Sequence, residues 1–327
     1  MDKSFDVVGI GNALVDVIAH QDDAFIGANT LEKGAMTLID TDRAITLYGA
    51  MGSGVEMSGG SAANTMCGVA SFGGRAAYIG KVADDQLGEV FAHDLRAVGV
   101  AYRQPLSQLG VPTGRCLIIV TPDAERTMNT YLGVSELLGP DDVDDRLVAD
   151  AKVLYMEGYL WDRPEAMAAY RKAAKLAHKA GGTVSLTLSD SFCVHRHHAA
   201  FMDLVENDVD LLFANEPEIC ALYGVEHVEQ AFAAVVHHCD VAAITLGSKG
   251  SAIVTRDGVI EVPVEPVKEV LDTTGAGDLY ASGFLYGYTQ GLALADCGRL
   301  ASIAAAEVIS HVGARPLVSL SKLSQEG

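Results

Sequence analysis

Asp272-Thr273-Thr274-Gly275-Ala276-Gly277-Asp278 joins a run of small residues to two carboxylates just where an apolar helical pattern begins, carried by Leu279, Phe284, Leu285 and Tyr288. Gly275, Ala276 and Gly277 let backbone N–H groups crowd close to an anion, and the start of a helix adds the positive end of its dipole. Asp278 then stands at the mouth of an anion hole. A carboxylate there can take the proton of a hydroxyl as it attacks a phosphorus held by those N–H groups. The plainer reading of the segment is a glycine turn with Asp278 as an ordinary helix cap.

Outward from this segment the chain alternates between two kinds of element. Apolar runs at 7–10, 77–79, 153–156, 184–188, 211–214 and 242–246 have the continuous character of strands buried on both faces. Helical stretches lie between them, the clearest at 164–180, with Pro164 at its entry and Gly181-Gly182 as its stop. This alternation predicts an α/β fold, with a mainly parallel doubly wound sheet flanked by helices. Two stretches break the rhythm: 18–57 is rich in glycine, and 113–131 reads as two strands, 115–120 and 127–131, around Pro122-Asp123.

Two further segments accompany the first. Ser58-Gly59-Gly60-Ser61-Ala62-Ala63-Asn64-Thr65 leads into a helical pattern and Gly73-Gly74, and Gly9-Ile10-Gly11-Asn12 with Asp16 opens the chain. Together the three resemble, in order and over most of the chain, the ribokinase-like (PfkB) family of carbohydrate and nucleoside kinases, whose carboxyl-terminal signature reads Asp-Thr-x-Gly-Ala-Gly-Asp. The resemblance implies a large catalytic domain of residues 1–17, 58–110 and 134–327, with a small, partly β lid of residues 18–57 and 111–133. An edge hairpin and a surface loop are the alternative for the lid segments.

Composition narrows the partners. At 327 residues with 49% apolar content the chain can bury a large core, and its net charge of −20, without a Lys/Arg run, argues against nucleic acid or an anionic membrane surface. No apolar run approaches the ~20 residues needed to span a bilayer. The first twenty residues read as strand and turn rather than as a signal peptide, and six scattered cysteines lack a C-x-x-C pair, so a cytoplasmic protein with free thiols is expected. Monomer and homodimer both remain open.

By the resemblance, Asp278 is the base, Gly275, Ala276 and Gly277 form the anion hole, and Arg126 reaches the phosphates when the lid closes; a solvated hairpin Arg is the competing reading. Asp16 is assigned the ribose 2′- and 3′-hydroxyls, with Asn12, Gly60, Ser61 and Asn64 alongside. Asn12 and Asp16 also follow a strand, where open α/β sheets present ligand-binding groups. Asn215-Glu216-Pro217-Glu218 matches an Asn-x-x-Glu element in which Glu218 contacts Mg2+ through water, although Asn215 as a helix cap accounts for the same residues. Thr245, Gly247, Lys249 and Gly250 resemble a nucleotide-binding loop, and Gly313 lies where the family closes its adenine pocket. ATP and Mg2+ are implied as cofactors, and a monovalent cation such as K+ is admitted. His195-Arg196-His197-His198 lacks tetrahedral ligand spacing and reads as a polar loop. A Rossmann fingerprint fails because Leu14 stands at the third glycine position, and a Walker loop fails at Val82.

The expected activity is ATP-dependent transfer of a phosphoryl group to the 5′-hydroxyl of adenosine or a related nucleoside, the pattern being most similar to adenosine kinases. A ribokinase- or fructokinase-type sugar kinase and a non-catalytic nucleoside-binding protein are the alternatives. Phe25, Met36 and Leu38 are candidates for the wall of a purine site or for lid core.

Overall fold

The computed structural model describes residues 3–123 and 125–326. Among them the strands are, in chain order, β1 (Phe5–Ile10), β2 (Leu14–His20), β3 (Met36–Leu38), β4 (Val55–Gly59), β5 (Ala76–Ile79), β6 (Ala101–Tyr102), β7 (Gly114–Val120), β8 (Arg126–Tyr131), β9 (Ala151–Glu157), β10 (Thr183–Thr187), β11 (Leu211–Asn215), β12 (Val241–Thr245), β13 (Ser251–Thr255) and β14 (Gly258–Val262). Nine of them form one sheet in the order β14-β13-β12-β11-β10-β9-β1-β5-β6. It is parallel from β12 to β6 and ends in the antiparallel pair β13 and β14.

Both faces of this sheet are covered, which is why its strands are apolar at every position rather than at every second one. Val8, Ile10, Leu154, Met156, Leu186 and Leu212 pack on one side with Trp161, Tyr170 and Phe201. Their neighbours in sequence, Val7, Val153, Tyr155, Leu211 and Phe213, pack on the other side with Met66 and Phe284. Met66 belongs to helix Ser61–Ser71 and Phe284 to helix Ala276–Thr289, so the two glycine-rich segments of the sequence start helices on the same face.

The second sheet has the order β3-β8-β7-β2-β4. Here the pattern alternates. Val17 and Leu117 face helices Asp23–Ala28 and Thr41–Ala50, where Phe25, Leu47 and Met51 cover them, while Ile18, Cys116, Ile118 and Met128 share the opposite face. The expected hairpin is present, β7 pairing antiparallel with β8. The polar loop expected at 195–198 is replaced by the end of helix Ser191–Arg196 and the start of helix His198–Asn207. His197 sits between them with Nε2 2.5 Å from Asp162.

Candidate active site

A cavity of about 1070 Å³ runs along the carboxyl ends of β9 to β12 and under the Met36–Met128 face of the second sheet. Ligand pockets are commonly about 300–1,000 Å³, so this cavity stands at the large end of that range. Gly275, Ala276, Gly277 and Asp278 form part of its wall.

Gly275 precedes helix Ala276–Thr289 with φ 79°, and a Cβ on it would lie 2.8 Å from the Ala314 backbone, so only glycine suits the turn. Its carbonyl accepts the first helical bond, from Leu279 N at 2.8 Å. The N–H groups of Ala276, Gly277 and Asp278 therefore precede the helical ladder; that of Ala276 turns back to Thr273 O, and those of Gly277 and Asp278 are left by the helix at its positive end.

Asp278 is not the helix cap. Its Oδ1 accepts from Ser61 Oγ at 2.6 Å and its Oδ2 from Asn64 Nδ2 at 3.1 Å, two donors one turn apart on helix Ser61–Ser71, whose N-cap is Gly60. Burial pushes its carboxyl up to about 6, held from rising further by those two hydrogen bonds and by the charge of Arg315. Across the cavity, Asp16 of β2 is likewise raised to about 6 by burial, against the pull of Arg315 and Arg126. Among the described residues no hydrogen bond reaches the Asp16 carboxylate, although it lines the cavity, so it is free to accept from a ligand.

Arg126, the first residue of β8, is mostly buried and is not a solvated hairpin residue. Its Nη1 lies 2.6 Å from Asp272 Oδ2 and 2.9 Å from Thr274 Oγ1, bridging the second sheet to the loop before helix Ala276–Thr289. Gly313 N donates to the same Asp272 oxygen at 2.9 Å. Burial works to raise the Asp272 carboxyl, but the hydrogen bonds from Gly313 and Thr274 and the charge of Arg126 hold it below the usual carboxylate range.

The remaining assigned residues divide. Asn12 reaches the wall, but its amide is already engaged: N and Nδ2 donate to Glu157 Oε1 at 3.2 and 2.9 Å, and Oδ1 accepts from Ser135 at 2.8 Å. Asn215 and Glu218 line the cavity as a reciprocal cap of helix Glu216–Tyr223, with Glu218 accepting from Asn215 N and Nδ2 and raised to about 7 by burial. Thr245 is on the wall; Gly247, Lys249 and Gly250 are not, because the antiparallel return to β13 confines them to a tight turn, where the exposed Lys249 stands 3.8 Å from Glu216. Phe25 packs with Val17, Leu47 and Leu117 under the second sheet, whereas Met36 and Leu38 line the cavity.

The family model described as pfkB family carbohydrate kinase matches residues 37–320. The chain belongs to the PfkB family. The adenosine kinase from Sinorhizobium meliloti is 52% identical, with a TM-score of 0.91 and coverage of 98% of this chain and 99% of that one. A probable sugar kinase from Rhizobium etli is 49% identical, with a TM-score of 0.92 and coverage of 99% and 98%. The 5-dehydro-2-deoxygluconokinase of Bacillus subtilis is 26% identical over 334 residues, covering 99% of this chain and 96% of its own. The PfkB fold is thus shared along the whole chain, and the protein is a kinase of the sugar and nucleoside class. No helix among the described residues is long and apolar enough to cross a membrane.

Two residues of this PfkB site escape the sequence reading. Glu157, at the end of β9, accepts from Asn12 and from Ala62 N at 2.8 Å, and burial raises it to about 7. A Cβ on Gly11 would come within 2.5 Å of its Oε2, so this glycine makes room for the carboxylate. Its position at the carboxyl end of a central strand is the signal that finds it. Arg315 donates Nε to Asn64 Oδ1 at 3.1 Å and Nη1 to Ser58 Oγ at 2.5 Å. A lone cation beside Gly313-Ala314 in so acidic a chain is its only trace in the sequence.

Proposed function

We propose that this PfkB kinase transfers a phosphoryl group from ATP to the 5′-hydroxyl of adenosine or a closely related nucleoside, with Asp278 as base. The observation that carries the nucleoside reading is the pairing, in one cavity, of an Asp16 carboxylate with no hydrogen-bond partner among the described residues and an apolar wall of Met36, Leu38, Ile118 and Met128. A carboxylate accepts two hydrogen bonds from a vicinal diol, and the apolar wall suits a flat base that a simple sugar lacks. The 52% identity to an adenosine kinase supports the same reading.

Mg2+-ATP supplies the transferable phosphoryl group when bound. The N–H groups of Gly277 and Asp278 ahead of the helical ladder, with Arg126 beside Thr274, fit an anion at the loop. Glu218, engaged by Asn215, fits contact with Mg2+ through water, and the described residues hold no cluster of three or more His, Cys, Asp or Glu suited to grip a bare metal ion. Asp278, oriented on both oxygens by Ser61 and Asn64, takes the hydroxyl proton, and Arg126 offsets negative charge that builds during transfer.

A sugar as acceptor is the second reading, favoured by the 26% identity to 5-dehydro-2-deoxygluconokinase. ADP release at fixed Mg2+-ATP with adenosine, 2′-deoxyadenosine, ribose, fructose and 5-dehydro-2-deoxygluconate separates the two. Adenosine should give the highest kcat/KM, and loss of the 2′-hydroxyl should cost about tenfold or more, because a buried acceptor is left unpaired. Turnover of a sugar with none of adenosine would establish the second reading instead.

A further inference from the structure

We propose that Arg315 is a positioning residue for the base, acting through Asn64. The proposal rests on the reading of Asp278 as that base. A guanidinium only donates, so the Asn64 amide atom 3.1 Å from Arg315 Nε must be the oxygen. That leaves Nδ2 as the atom facing Asp278 Oδ2 at 3.1 Å. The second arm of the fork, Nη1, donates to Ser58 Oγ, which passes its own proton to Asp94 Oδ2 at 3.1 Å. The donors therefore run outward from Arg315 along two arms, through Asn64 to Asp278 and through Ser58 to Asp94. Without Arg315 the Asn64 amide is free to turn, and its oxygen can then face the carboxylate and repel it.

Two further observations favour a role in the reaction over simple packing. Arg315 Nη2 is buried without a hydrogen-bond partner among the described residues. An unpaired buried N–H weakens the fold, and a residue selected only for stability would do as well with an apolar side chain. The second observation is charge. The titratable and charged groups whose fields meet that of Asp278 are Asp16 on β2, Tyr155 and Glu157 on β9, Tyr159 just beyond it, and Arg315. Of these Arg315 alone is a cation, and it favours the ionised carboxylate on which proton removal depends.

The test compares Arg315→Met and Arg315→Lys with the unmodified enzyme, using the acceptor turned over fastest in the panel above, and runs Asp278→Asn in parallel. ADP release gives kcat against pH, calorimetry gives acceptor Kd, and melting curves report the folded fraction. Arg315→Met should lower kcat by about tenfold or more with acceptor Kd within about threefold, and should move the acidic limb of the kcat profile to higher pH. Arg315→Lys keeps a charge but not the fork, so its limb should stay near that of the unmodified enzyme while kcat still falls. Unchanged kcat and limb in Arg315→Met would overturn the proposal, as would a loss of kcat that merely follows the folded fraction with the limb unmoved. If Asp278→Asn retains turnover, the assignment of the base fails and this proposal with it. If Asp278→Asn is inactive and both Arg315 variants behave as the unmodified enzyme, the positioning role alone fails.

Discussion

Asp272 and Asp278 belong to one loop and helix start, yet their surroundings drive them in opposite directions. Asp272 receives Arg126, Thr274 and the Gly313 N–H and is held below the usual carboxylate range, so it stays charged and structural. Asp278 has two neutral donors and a more distant cation, and burial lifts it to about 6. Environments that separate two carboxyl groups in this way assign them different roles: the raised one is poised to exchange a proton near neutral pH. The same contrast bears on Arg126, whose partner Asp272 does not need it for ionisation alone. Arg126→Ala should lower kcat about 10²-fold or more while changing the acceptor KM much less, on the proposal that its charge is needed most as transfer proceeds. Steady-state kinetics decide: unchanged values would reduce Arg126 to a tie between β8 and the loop.

At the scale of elements, much of this arrangement was legible in the sequence, and the exceptions share a cause. The start of helix Ala276–Thr289 was marked by Gly275, which only a turn of positive φ explains, and by the apolar residues that follow. The strands of the parallel sheet, the two-residue β6 aside, announced themselves because burial on both faces leaves a continuous apolar run. Strand β2 did not, since Leu14 to His20 alternates, lacks a turn signal, and takes its partners from β4 and β7 far along the chain. A division drawn between residues 17 and 18 accordingly falls inside β2, which joins the second sheet from Leu14 onward. Glu157 and Arg315 were missed for the same reason: their partners Asn12 and Asn64 lie 145 and 251 residues away, beyond any local pattern. Lys249 shows the converse, part of a stretch that resembles a nucleotide-binding loop but is set off the cavity wall by the antiparallel return of β13.

For the molecule as a whole, the site is a concentration of carboxyl groups that folding makes harder to ionise. Asp16 and Asp278 are raised to about 6, Glu157 and Glu218 to about 7, all chiefly by burial, whereas in an unfolded chain they titrate near 4. Between about pH 4 and 7 these four groups therefore carry more protons in the folded protein than in the unfolded one, and they make stability fall as pH rises through that window. The net charge of −20 adds self-repulsion of the same sign. The ligand-free protein should melt at a higher temperature at about pH 5.5 than at about pH 8 at constant ionic strength, and a lower melting temperature on acidification would contradict this balance. Two sheets, two helix starts and one cavity meet at Asp278, the proposed proton acceptor. That role is decided by kcat, measured by ADP release, together with the adenosine Kd of Asp278→Asn, a substitution that keeps the shape of the side chain and removes its basicity. A fall in kcat of about 10²–10⁴-fold with Kd changed no more than a few-fold is the predicted result, and a variant that keeps more than half of the original kcat would contradict the account.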